Sequence, residues 1–153
     1  MWWIWVVLGV LVLIGLALLG RRLGGPDLPR ARGLFEAQRS QLQAQFFQAA
    51  AASGKPRGLR WTACEWAPAV EFAREKATGR LAALAGVTIQ FEAIEGSDME
   101  GLPAVGNLRN ASAVFFFHAG RWHTTGKTVF NLNPDEALEH FKGQYDRLRG
   151  PEA

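Results

Sequence analysis

The side chains able to carry chemistry are few: three histidines, one cysteine and a set of loop acids. His118 and His123 stand on either side of the turn sequence Ala119-Gly120-Arg121, so two imidazoles five positions apart can face each other across a hairpin. A metal ion would need a third ligand. His140 lies far along the chain, and no His-Glu-x-x-His spacing puts it on a helix face with another donor. Glu92, Glu95, Asp98 and Glu100 lack the alternating Asp/Asn ligands and terminal Glu of a calcium loop, so they read as a solvated loop. Cys64 sits between Ala63 and Glu65 with no basic neighbour to lower its pKa, and a lone cysteine excludes both a disulfide framework and a Cys-based zinc cluster within one chain. The glycines are scattered among turns and match neither dinucleotide-binding nor phosphate-loop spacing. No catalytic residue, metal or cofactor is therefore assigned. The alternative is a sheet curled around a small pocket, with Glu92, His118, Trp122 and His123 as its ligand-binding groups.

The elements that would position these groups divide sharply at Gly20. Residues 1–20 carry no charged side chain, and 17 of them are apolar. As a helix they would reach roughly 30 Å, the thickness of a hydrocarbon core, which predicts a transmembrane anchor. Trp2, Trp3 and Trp5 would sit at its membrane interface at one end, and Arg21 and Arg22 at the other. Nothing basic but the α-amino group precedes the apolar run, unlike a cleaved signal peptide. Arg21, Arg22, Arg30 and Arg32 all follow it, so the positive-inside rule puts the C-terminal domain in the cytoplasm of a single-pass protein of the cell membrane. Residues 21–60 carry a net charge of +6 and the remainder −3. The first segment suits an anionic lipid surface; the acidic remainder argues against nucleic acid as a partner.

Residues 21–33 read as a basic Gly/Pro linker, with Pro26 and Pro29 denying it a helix. From 34 to 52 the pattern is helical: Phe35, Leu42, Phe46 and Ala49 form one stripe, and five glutamines occupy the other faces. The period then becomes two. Short strands are predicted over 59–65 and 70–73, followed by a hairpin turn at 76–80. A clear half-buried strand covers 87–94, with Gly86 marking a bulge or a close backbone approach. Further strands are expected over 111–117 and 122–132. Asn133, Pro134 and Glu136 spell a helix start, and Leu138, Phe141, Tyr145 and Leu148 extend that helix to 148. The fold class is α+β: anchor, helix, an antiparallel meander of about five strands, and a C-terminal helix, with the small domain covering 34–149.

The blocks Gly58-Leu-Arg-Trp61, Thr78-Gly-Arg-Leu81, Val87-Thr-Ile-Gln-Phe-Glu-Ala-Ile-Glu-Gly96, Ala104-Val-Gly-Asn-Leu-Arg109, Gly120-Arg-Trp122 and Val129-Phe-Asn-Leu-Asn-Pro134 resemble an uncharacterised bacterial family of single-pass membrane proteins. That resemblance implies a membrane anchor and carries over no activity and no site residue. At fold level, a helix laid across a curled antiparallel sheet is similar to cystatin-like and nuclear-transport-factor-2-like arrangements. The function expected is a membrane-tethered, non-enzymatic interaction or scaffold module, with the lipid bilayer and another membrane protein as partners.

Overall fold

The structure, a computed structural model, describes residues 1–23 and 27–150; within the first helix the side chains of Trp2, Ile4, Trp5 and residues 17–23 are outside the description. Helix α1 (Trp2–Leu23) covers the whole apolar run and continues through Arg21 and Arg22. Among the described residues no helix is long and apolar enough to cross a membrane. Trp3 is exposed, as are the described side chains from Val6 to Leu16.

The linker is shorter than its prolines suggest. Helix α2 (Leu28–Ala37) starts two residues after Pro26, because Pro29 falls in its first turn. There the missing N–H has no helical acceptor to lose and the fixed φ suits the helix. Gly24, Gly25 and Pro26 lie outside the described residues. The single helix expected over 34–52 breaks at Gln38 and resumes as α3 (Arg39–Ala52). Ala31 and Phe35 on α2, with Leu42, Phe46 and Ala50 on α3, are buried against the sheet. Ala49, placed in the stripe by its spacing, is only half-buried.

Six antiparallel strands form the sheet: β1 (Leu59–Glu75), β2 (Leu81–Ala93), β3 (Arg109–His118), β4 (Arg121–His123), β5 (Thr128–Phe130) and β6 (Tyr145–Arg147). Their order is β4-β3-β2-β1-β6, with β5 also paired to β3. The two short strands expected before residue 76 are one long strand. Its register against β2 shifts between Trp61 and Ala63 and again between Trp66 and Val70, so residues 67–69 bulge out opposite Gly86. A Cβ at Gly86 would lie 3.0 Å from the Ala67 Cβ, which is the close approach that a strand glycine predicts. Arg39 holds the bulge to α3, donating from Nη2 to the carbonyls of Ala67 and Pro68 at 2.9 Å each.

The strand expected over 122–132 is interrupted. Its two ends, β4 and β5, pair separately with β3, and the intervening loop packs on α3. Gly126 makes that contact possible: its φ is +77°, and a Cβ there would lie 2.5 Å from the Ala50 nitrogen.

The C-terminal helix also departs from its periodicity. Helix α4 (Pro134–His140) starts with the full capping box, Asn133 accepting from the Glu136 N–H and Glu136 accepting from the Asn133 N–H. It ends at His140, and residues 145–147 pair with 73–75 of β1 instead. Tyr145 packs in the core under α4 while Leu148 packs in the core under α2 and α3. A helix would have put both on one face; a strand sends them to opposite faces.

The sheet is thus covered on both sides. Under α2 and α3, Phe35 makes edge-to-face contacts with Phe72, Phe115 and Trp122 at centroid distances of 5.8, 5.3 and 5.2 Å. Each such pair adds about 0.5–1.5 kcal/mol beyond simple burial. On the other side α4 covers Ala82, Leu84 and Val114, so β2 is buried on both faces from Leu81 to Val87 and has its expected wet face only from Thr88 onward.

Candidate functional site

The four residues considered for a pocket do not converge. Glu92 is at the end of β2 nearest Arg109, exposed, with its Oε2 2.9 Å from the Arg60 guanidinium. His118 is at the opposite end of the β2–β3 ladder, exposed beside the Ala119-Gly120 turn, whose residues have φ of +50° and +76°. His123 is exposed on β4 opposite Phe116. Trp122 is buried in the core, and its indole Nε1 donates to the Ala31 carbonyl at 2.7 Å. Among the described residues the sheet face under α2 and α3 is packed with Phe35 and Phe46 of the helices against Phe72, Phe115 and Trp122 of the sheet. Among the described residues no group of three or more His, Cys, Asp or Glu is placed to hold a metal ion.

Cys64 is half-buried on β1. Burial pushes its thiol up to about 11. At neutral pH it is a packed, protonated thiol and a poor nucleophile. Of the arginines following the apolar run, Arg32 takes part in the fold: its guanidinium lies 4.7 Å from the centroid of the Phe72 ring. The side chains of Trp2, Trp5, Arg21 and Arg22, assigned to the membrane interface, lie outside the description.

The sequence reading missed a groove of about 530 Å³ on the α4 side of the sheet, lined by Glu71, Gly86, Thr88, Asn110, Asn131 and Asn133 among others. Its floor is the part of β2 and β3 that α4 is too short to cover. Asn131 has a φ of +62° and its N–H donates to the Asn110 carbonyl at 2.8 Å, which fixes the wall. Thr88 Oγ1 is 3.2 Å from Asn110 Oδ1. Asp135 and Glu136, at the rim, are occupied by Arg147 and by the helix cap. Glu71 has no hydrogen bond or ion pair among the described residues. Amides, a hydroxyl and one carboxylate can hydrogen-bond a polar or cationic group; they contain no nucleophile with a base beside it. The sequence signal was the period-two pattern with polar Thr88 and Asn110, but their pairing across strands is non-local and the shortness of α4 was not legible.

A second cleft, of about 460 Å³, lies between α3 and β4, where Gln41 and Gln45 face Arg121 and His123. This is where the glutamine-rich helix face leads. Phe47, half-buried on α3, leans on Trp61 at a centroid distance of 6.5 Å.

The third feature is an open sheet edge. β4, β5 and β6 are three residues long each, and the bulge at 67–69 is capped by Arg39. On the side of β1 away from β2, the backbone of residues 60–66 has no hydrogen-bond partner among the described residues.

Comparison with protein-family models, with curated proteins and with solved structures finds no match to this chain. What the residues establish is a mixed α+β domain built on an antiparallel sheet of six strands with four helices among the described residues.

Proposed function

We propose that this chain is a membrane-anchored interaction module that works by contact and not by catalysis. The observation that carries the reading lies in the sequence: the 19 residues 2–20, all within α1, include no charged side chain, although the described part of that helix is by itself not long and apolar enough to cross a membrane. At about 1.5 Å per residue those 19 span roughly 28 Å, close to the hydrocarbon thickness of a bilayer. The tryptophans near its start and the arginines at its end are the interfacial anchors such a span uses, and the arginines favour a cytoplasmic domain. Only residues 24–27 separate α1 from α2, so the domain stays close to the lipid surface. Confinement of this kind raises the effective concentration towards another membrane protein and gives no advantage with a freely diffusing substrate. The packing of Phe35, Phe46 and Trp122 on the sheet face under α2 and α3 favours this reading over an enclosed pocket there.

One observation favours a second reading. The polar groove with the unpaired Glu71 suits a small polar or cationic ligand, so the module can bind a small molecule as well as a protein.

The test is topological and functional. Protease added to intact cells should leave the domain uncut and should digest it after lysis. Replacing α1 by an unrelated single-pass helix should preserve the cellular phenotype, and releasing the domain should abolish it. Digestion in intact cells reverses the orientation; a phenotype that survives release removes the tethering reading.

A further inference from the structure

We infer that the open edge of β1 pairs with the same edge of a second copy of this chain, antiparallel and about a two-fold axis beside Ala63. An unpaired strand edge is a template for strand addition, and proteins usually shorten, bulge or cover such edges. Among the described residues several other edges are managed: β4, β5 and β6 have three residues each, and beyond Trp66 the strand is bulged, interrupted by Pro68 and capped by Arg39. Residues 60–66 carry the register shift at Thr62 but are neither short nor paired on this side among the described residues.

The side chains on this edge are self-complementary. Arg60 and Glu65 are five positions apart, which in a regular strand would put them on opposite faces. The register shift at Thr62 corrects this. Arg60 is opposite Glu92 and Glu65 is opposite Thr88, two even-numbered residues of β2, so both point to the face away from α3. Trp61 and Cys64, opposite Phe91 and Ile89, both point to the α3 face. An antiparallel two-fold therefore sets Arg60 against Glu65 of the partner subunit, twice by symmetry, and Trp61 against Cys64 of the partner subunit. Every pair shares a face. Glu65 is exposed and has no ion pair among the described residues, whereas Arg60 already touches Glu92. Half-buried Cys64, Trp66 and Phe47 lie along the same margin and would lose further water on pairing. A contact of about six residues per copy is smaller than a stable interface in dilute solution, and two copies anchored in one bilayer meet at far higher effective concentration. In that respect the inference rests on the tethering reading.

The experiment uses the full chain in lipid vesicles. Recovery with the vesicles is measured first, and then energy transfer between donor- and acceptor-labelled copies at rising protein-to-lipid ratio. Glu65→Arg should weaken self-association roughly tenfold, because two attractive cross-strand pairs become repulsive. The double variant Arg60→Glu/Glu65→Arg, with the charges exchanged, should restore it. Hydrogen exchange on the unmodified chain provides a readout independent of variants: amides within 60–66 should slow as self-association rises. A chain that is monomeric in vesicles overturns the edge pairing and leaves tethering intact. Self-association unaffected by Glu65→Arg, or a folded double variant that stays monomeric, overturns it too. A chain not recovered with vesicles overturns the tethering reading and this inference together.

Discussion

The indole N–H of Trp122 donates to the carbonyl oxygen of Ala31 at 2.7 Å, joining residues 91 positions apart in the chain. This bond links the edge strand β4 to helix α2. It is buried, so its loss is not made good by water. Trp122→Phe keeps an aromatic ring beside Phe35 while removing the donor. The expected loss is about 1–3 kcal/mol of stability, read from denaturant unfolding of the full chain in detergent. An unchanged midpoint would mean that the helix is held by packing alone.

Gly126→Ala should destabilise more than Gly79→Ala. Both positions have positive φ, but only Gly126 would put its Cβ 2.5 Å from backbone, at Ala50; Gly79 faces open space. The first change adds about 1–3 kcal/mol of overpacking to the strain of about 1–2 kcal/mol that both share. Thermal unfolding of the two variants side by side tests this, and equal losses would remove the close approach as its cause.

Much of the fold was legible because its signals are local. Asn133, Pro134 and Glu136 place the start of α4 correctly, and the alternation of Val87, Ile89 and Phe91 gives the second half of β2 and its buried face, although the strand starts at Leu81 and not at 87. The errors, the reading of Pro29 excepted, have non-local causes. Tyr145 and Leu148 fit a helical period, yet the edge of β1 at residues 73–75 claims 145–147 as a strand, and the Leu148 N–H follows on by donating to the Phe72 carbonyl. Pro29 suggests an extended linker, yet at the first turn it starts a helix. Trp122 reads as a pocket group by its neighbours His118 and His123, but the buried carbonyl that takes its N–H is contributed by a residue 91 positions away. The groove was invisible for the same reason, since it exists only where α4 stops short of Thr88 and Asn110.

Glu75 should make the fold sensitive to acid. The Thr78 hydroxyl donates to its carboxylate, Arg80 reinforces this, and together they hold its pKa below the ordinary 4.5. A carboxylate depressed in the folded state contributes its full stability above its unfolded pKa and loses it as pH falls through the folded value. Stability of the unmodified protein should therefore drop below about pH 4.5 more steeply than that of Glu75→Gln. Parallel curves for the two in pH-dependent urea unfolding would contradict the assignment.

Cys64 should alkylate slowly. A thiol raised from 9.0 to about 11 has about a hundredfold less thiolate at neutral pH. Iodoacetamide labelling at pH 7.5 should run far behind that of the same chain in denaturant and should accelerate with rising pH. Labelling of the folded chain at the unfolded rate would show an exposed thiol.

Extraction of membranes with alkaline carbonate tests membrane anchoring most directly. The full chain should remain in the membrane pellet, because a charge-free helical run of roughly 19 residues buries far more surface than a peripheral contact. A chain lacking residues 1–25 should move to the supernatant. Release of the full chain by carbonate would contradict the account.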